Sequence, residues 1–468
     1  MSERCFCVHG HFYQPSREDP LTGLIPEESG SEPYTNWNER VNDRCYRPNA
    51  EQGNFSKVSF NMGPTLVRWM EGYARPTLVK IVDSDRTNVN RNGVGNAMAQ
   101  PYHHTILPLA TRREKEIQIR WGIADFKHTY GRVPEGMWLP EAAVDLESLS
   151  ILAEEGIQFT ILPPWAAKTE YLDARHPYRV ALSGGREIVV FFYNDSVSCT
   201  ISFNPDATVN AENFIDTFLK RAFVDSDEEQ FVIAASDGEL YGHHQAFRDF
   251  FLSYLLDGAL SRAGIQTTYP ALWLKTHAVK DTIEIRENTS WSCCHGVERW
   301  AHVCGCTPAG TWKKGLREFL SETARTIDDH YTRTASKWVK DPDLALEETI
   351  HFVLHDEDYR DWESRNRKGD LSPGDSRSLR KLMQAQFERQ RMFTSCGWFF
   401  EQFDRIEPNN NLKYAAQALA LTEAATGAVI AEGLYPLLKA IEQPIKGTSA
   451  EVYFSTLVDK FRSKTKTQ

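Results

Sequence analysis

Phe231-Val232-Ile233-Ala234-Ala235-Ser236-Asp237-Gly238-Glu239-Leu240-Tyr241-Gly242-His243-His244 is an apolar, strand-like run that empties into a Ser-Asp-Gly-Glu turn and then paired histidines. Five other short β-branched or aromatic runs, at residues 5–8, 57–61, 136–139, 159–162 and 187–193, precede it. They alternate with longer segments of helical period, the pattern of parallel strands joined by crossover helices. Residues 112–127 are one such segment, with Ile119, Ile123 and Phe126 on one face. Through about residue 300 the expected class is therefore α/β, a β/α barrel. Beyond about residue 310 the strand signal fades into helical segments at 314–337, 344–355, 377–389 and 412–426. In the second of these, Leu346, Ile350 and Leu354 form an apolar stripe, with Glu347 and Glu348 mainly outside it. Thr307-Pro308-Ala309-Gly310 marks the expected joint, and the Gly- and Pro-containing loop at 367–375 breaks the helical region. The organisation expected is a barrel over residues 1–310 and an α-helical domain over 311–468 that completes the cleft.

With 468 residues, 41% of them hydrophobic and 25% charged, the chain can bury a large core. A net charge of −11 opposes the clustered Lys and Arg that a phosphate backbone needs, so nucleic acid is not an expected partner. A neutral polyhydroxylated substrate suits that balance, and 12% aromatic residues, 12 of them Trp, supply faces for sugar rings or simply a large core. Met1-Ser2-Glu3-Arg4-Cys5-Phe6-Cys7 leads straight into a short apolar run without a signal core, and no 18-residue apolar stretch follows. The expected location is cytoplasmic, with no membrane partner. Nine scattered cysteines fit reduced thiols. Cys293-Cys294-His295 with Cys304-Gly305-Cys306 offers enough ligands for tetrahedral zinc, although the spacing departs from a C-x-x-C knuckle and buried thiols are the plainer reading.

Barrel enzymes gather their chemistry at the carboxyl ends of the strands. Val8-His9-Gly10-His11-Phe12-Tyr13-Gln14-Pro15 ends the first strand, and alternation points His9 and His11 the same way. That pair suits sugar hydroxyls, a metal ion, or a satisfied interior. Gly136-Met137-Trp138-Leu139-Pro140-Glu141 puts a carboxylate at a strand end with Trp138 three residues before it, a setting for a glycosidase nucleophile or for a helix first turn. Asp237 is the candidate second carboxyl group, with Glu239 its competitor in the same turn, where Gly238 permits a tight bend. Trp291 and His295, in Asn288-Thr289-Ser290-Trp291-Ser292-Cys293-Cys294-His295-Gly296, can stack on and hydrogen-bond a sugar. His103, in Tyr102-His103-His104, and His244 are further candidates for the same cleft.

In their order along the chain these elements resemble glycoside hydrolase family 57. His11 with Gln14-Pro15, Tyr102-His103-His104, Trp138-Leu139-Pro140-Glu141, Ser236-Asp237-Gly238-Glu239 and Trp291 to His295 stand where that family's five regions fall. Thr394-Ser395-Cys396-Gly397-Trp398-Phe399-Phe400 and the Cys-rich fifth region resemble a less-characterised branch. The resemblance implies an incomplete (β/α)7 barrel followed by an α-helical domain, and a retaining double displacement on α-linked glucan without an essential metal or other cofactor. It assigns Glu141 as nucleophile, Asp237 as acid/base, and His11, Trp138 and Trp291 as substrate contacts, with His9 and His295 beside them. Longer members carry a further C-terminal region that this sequence is expected to lack. Amylase, 4-α-glucanotransferase and branching activity all fit. The alternatives are a metal-dependent carbohydrate deacetylase using His9 and His11, or a glucan-binding protein without turnover. The residues leave the oligomeric state open.

Overall fold

The computed structural model describes residues 3–467. Met1 and Ser2, which head the N-terminal run read above, lie outside them. Among the described residues nine strands are formed: β1 (Arg4–Phe12), β2 (Ser59–Met62), β3 (Ala97–Met98), β4 (Phe159–Leu162), β5 (Tyr178–Ala181), β6 (Glu187–Phe192), β7 (Gln230–Asp237), β8 (Gln266–Thr267) and β9 (Asp281–Thr282). β3, β2, β1 and β7 form one sheet in that order, and β4, β6, β5 and β9 form another. Two isolated parallel bridges, Ala99 with Met137 and Gly136 with Phe159, join the sheets through residues 136 and 137. On the far side the amide of Asn194, just beyond β6, donates to the Ile233 carbonyl of β7 at 2.7 Å. The pairings thus run through seven segments in a ring whose last contact is a single hydrogen bond, the distorted form of the barrel expected. The antiparallel β5–β6 hairpin and the short β8 and β9 are additions to that ring.

Register decides what fills the ring. β1 and β7 pair in parallel as Cys5 with Phe231, Cys7 with Ile233, His9 with Ala235 and His11 with Asp237. On the other side of β1, His9 pairs with Ser59 and His11 with Asn61. Because side chains alternate, these residues share one face. Cys5, Cys7, Phe159, Ile161, Phe191, Phe231 and Ile233 form one buried cluster, and the polar His11, Asn61 and Asp237 follow at the carboxyl ends. The same strands therefore supply an apolar floor and a polar rim.

The chain divides into two compact units that do not follow a single cut near residue 310. The first comprises residues up to Arg17, Pro26–Tyr102 and Thr129–Ser292, and the second comprises Glu18–Ile25, His103–His128 and the chain from Cys293 onward. Within the second unit the long helices are Trp312–Ala335, Pro342–Val353, Pro373–Arg391, Ile406–Thr426 and Ala450–Thr467. Leu346, Ile350 and Leu354 are all buried, as their spacing requires. Helix Arg112–Tyr130 buries Ile119, Ile123 and Phe126 as expected, and most of its length belongs to this second unit. One reason is Arg389, buried, whose guanidinium meets Glu114 at 2.6 Å and Asp328 at 2.7 Å. Removing any one partner of such a buried network leaves a charge uncompensated, at a cost of about 3–5 kcal/mol. No helix among the described residues is long and apolar enough to cross a membrane.

Candidate active site

Glu141 leaves the strand end through Pro140 and takes a left-handed backbone conformation, φ 58° and ψ 19°, followed by Ala142 at φ 45°. A non-glycine residue held there costs on the order of 1–3 kcal/mol and persists only where neighbours fix it. The Trp291 amide donates to the Glu141 carbonyl at 2.9 Å. From the side chains, Trp291 Nε1 donates to Glu141 Oε2 at 3.0 Å and Ser292 Oγ to the same oxygen at 2.6 Å. Two donors on one oxygen fix the orientation of the carboxylate.

Asp237 ends β7 beside His11, and its carboxyl group is exposed at the strand end. Crowding by the surrounding strand ends, and secondarily the charge of Glu141, push its pKa up to about 7. Solvent access at the rim limits how far the crowding acts, but both causes point the same way. The charge of Glu141 is thus felt at Asp237, and the two carboxyl groups differ in surroundings: one is held by two donors and the other is pushed towards protonation. Glu239, the competitor, is buried; it accepts from Tyr46 Oη at 2.6 Å and from the Tyr13 amide at 3.2 Å. Burial pushes its pKa up to about 8. Through these bonds its carboxyl group ties the loop after β1 to the turn after β7. Gly238 is required there by close approach: a Cβ would meet the Phe12 ring at 2.3 Å.

His9 and His11 lie inside the strand ends, and burial pushes their pKa values down to about 3 and about 4, so both are neutral imidazoles. His9 Nδ1 pairs with Ser59 Oγ at 2.9 Å and its Nε2 with Asn61 Oδ1 at 3.3 Å. His11 Nδ1 lies 3.0–3.2 Å from the Asn61 amide. Trp138 stacks on both rings, at centroid distances of 4.7 and 5.4 Å. Trp291 stands edge-on to Trp138 at 5.0 Å and to His11 at 5.9 Å. Trp138 is fully buried, so it is a pillar beneath the rim with no exposed face for a sugar. Its Nε1 is buried without a hydrogen-bond partner.

Glu141, Asp237, His9, His11, Trp138 and Trp291 are thus brought together in the first unit. His244 is in that unit too, exposed and with its ring 5.1 Å from that of His243. His103 is packed in the core of the second unit, edge-on to Phe387 at 5.0 Å and to Trp121 at 5.8 Å. His295 belongs to a thiol cluster of the second unit. Sequence reasoning missed Ser292, Asn61 and Trp165. Asn61 ends a strand that the pattern does mark, and a polar residue in that position was the available signal. Trp165 is 40% exposed and anchored by a 2.8 Å hydrogen bond from Nε1 to the Ser290 carbonyl. Among the described residues, the group of ligating side chains that converges within 4.8 Å is the thiol cluster, and it includes neither His9 nor His11.

A family model for glycosyl hydrolase family 57 matches residues 9–286, a span that holds both carboxyl groups and the two histidines of β1. The chain belongs to glycosyl hydrolase family 57. In this family 57 chain, residues 309–465 match a second model, for a domain of unknown function, DUF3536. An alpha-amylase of Pyrococcus horikoshii is 25% identical over 209 residues, 43% of this chain and 31% of that protein. The match thus spans about a third of the length of that curated relative. Among solved structures, an exo-type maltose-forming amylase from Pyrococcus sp. ST04 aligns with a TM-score of 0.73 at 16% identity, over 93% of this chain and 82% of that one. A GH57-type branching enzyme from Pyrococcus horikoshii aligns with a TM-score of 0.64 at 16% identity, over 98% of this chain and 94% of that one. The family 57 chain shares their fold.

Proposed function

We propose that this family 57 chain is a retaining glycoside hydrolase or transglycosylase acting on α-linked glucan, with Glu141 as nucleophile and Asp237 as acid/base. The observation that carries the reading is the division of labour between the two carboxyl groups. Glu141 is held by Trp291 Nε1 and Ser292 Oγ, while Asp237 is pushed towards its protonated form by crowding and by the charge of Glu141. A double displacement needs this pair: an ionised group to attack the anomeric carbon and a protonated one to give its proton to the leaving oxygen. Asp237 then takes a proton from water or from an acceptor hydroxyl, and the glycosyl–Glu141 ester is released. The neutral ring of His11 donates to or accepts from a sugar hydroxyl, His9 supports it from below, and Trp165 with Trp291 offers aromatic edges and faces at the rim. The matched relatives, named amylase and branching enzyme, support glucan as the substrate class. A cytoplasmic setting fits that chemistry and the reduced thiols.

The test is product analysis on amylose, glycogen and maltooligosaccharides after chelation, with Glu141→Ala and Asp237→Ala alongside the wild type. Activity that survives chelation and is lost in both variants supports the reading, and product length separates hydrolysis from transfer. With α-maltosyl fluoride and azide, Glu141→Ala should give the β-azide and Asp237→Ala the α-azide. Azide products of the opposite configurations would exchange the two roles and overturn the assignment.

A further inference from the structure

The second unit contains an arrangement that the glycosidase chemistry does not use. Cys293, His295, Cys304 and Cys306 each direct one ligating atom into a common space, all within 4.8 Å of one another. Cys293 Sγ lies 3.9 Å from Cys304 Sγ, 3.8 Å from Cys306 Sγ and 3.9 Å from His295 Nδ1, and Cys306 Sγ lies 3.5 Å from that nitrogen. None of the nine cysteines is joined in a disulfide. From the convergence of these four side chains we infer that residues 293–306 form a structural zinc site, with three thiolates and the His295 imidazole as a closed tetrahedral ligand set.

The distances carry the argument. Zinc–sulfur bonds of about 2.3 Å and zinc–nitrogen bonds of about 2.0–2.1 Å, at tetrahedral angles, put the edges at about 3.8 Å between sulfurs and about 3.5 Å between sulfur and nitrogen. Of the six edges, four fall at 3.5–3.9 Å and the other two lie within 4.8 Å. A disulfide would bring one pair to about 2.0 Å and leave the other two ligands unused.

The surrounding chain is built for the same purpose. Cys293 and His295 form one ligand pair with a single residue between them, and Cys304 and Cys306 form another. The second pair is set by a tight turn in which the Thr307 amide donates to the Cys304 carbonyl at 2.9 Å. Gly305 lies between its two cysteines, and a Cβ there would meet the His295 ring at 2.9 Å, so only glycine lets the imidazole lie against the turn. Three thiolates and a neutral imidazole on a divalent ion leave one negative charge. The buried Lys313 sits beside it, its Nζ donating to Thr307 Oγ1 at 2.8 Å and to the Arg299 carbonyl at 3.2 Å. Cys294 is exposed, with its Sγ 3.5 Å from His295 Nδ1, and lies outside the set of four.

The full-length chain, purified without affinity metals and dialysed against zinc-free buffer, is analysed for metal by mass spectrometry. About one zinc per chain is expected, retained by Cys199→Ser and lost from Cys293→Ser, Cys304→Ser and Cys306→Ser. Replacement by cobalt should give the intense visible absorption of a tetrahedral thiolate complex in the wild type, which requires no variant to fold. Wild-type protein without stoichiometric metal under reducing conditions, or iron in its place, would overturn the inference. So would loss of zinc from Cys294→Ser together with its retention in His295→Gln.

Discussion

Replacing Glu141 by Gln should lower the pKa of Asp237 without returning it to the ordinary carboxylate range. Asp237 is pushed from 3.8 to about 7 by two causes, of which crowding by protein is the larger and the Glu141 charge the smaller. Glu141 therefore supplies the smaller part of the rise. Coulomb's law gives its size: two charges about 5.5 Å apart at an effective dielectric between 20 and 80 interact by about 0.8–3 kcal/mol, or about 0.5–2 pH units. In Glu141→Gln the Asp237 pKa should thus fall by about 0.5–2 pH units. The assay is NMR titration of protein carrying carbon-13 at aspartate carboxyl carbons, with Asp237→Asn assigning the resonance. In the wild type the same group, needed protonated, should make kcat/KM fall as pH rises through about 7. An Asp237 that titrates near 4 in the wild type, or that ignores Glu141→Gln, would refute the reasoning.

Ser292→Ala removes the shorter of the two donors on Glu141 Oε2; a charge-assisted bond of about 1.5–3 kcal/mol predicts a ~10–100-fold loss in kcat/KM, with little change in thermal midpoint. Trp138→Ala empties a fully buried site under His9 and His11 and should cost about 3–5 kcal/mol in denaturant unfolding. Glu239→Gln keeps an acceptor for Tyr46 and Tyr13 and should stay folded and active by both assays. The same variant should also flatten the pH dependence of stability. Burial lifts Glu239 from 4.5 to about 8, so the native state keeps a proton that the unfolded chain releases. Wild-type stability then declines as pH rises through that window, and melts at stepped pH would expose the difference.

Two strands were legible in their apolar runs: residues 159–162 form β4 over that same span, and 231–235 form the middle of β7. Residues 136–139 carry a strand-like pattern but make only isolated bridges, Gly136 with Phe159 and Met137 with Ala99. β3 is two residues long, below what any periodicity can register. The helix over 112–130 was legible, but its membership of the second unit was not, since that depends on ion pairs between residues more than 200 positions apart. In the site, Asp237 could be found because a strand delivers it. The left-handed turn at Glu141 was not legible, since Pro-Glu-Ala contains no glycine to announce it. Ser292 carries no titratable signature, so nothing in its residue type marks it out. His295 was readable both as a sugar ligand and as a metal ligand, and its place among three sulfurs favours the second.

Trapping of the glycosyl-enzyme tests the central assignment most directly. Protein incubated with 5-fluoro-α-maltosyl fluoride is digested and mapped by mass spectrometry. A 5-fluoromaltosyl ester on the peptide carrying Glu141, absent from Glu141→Gln, is the expected result. An adduct on Asp237 or Glu239, or glucan turnover with inverted anomeric configuration and no adduct, would contradict it.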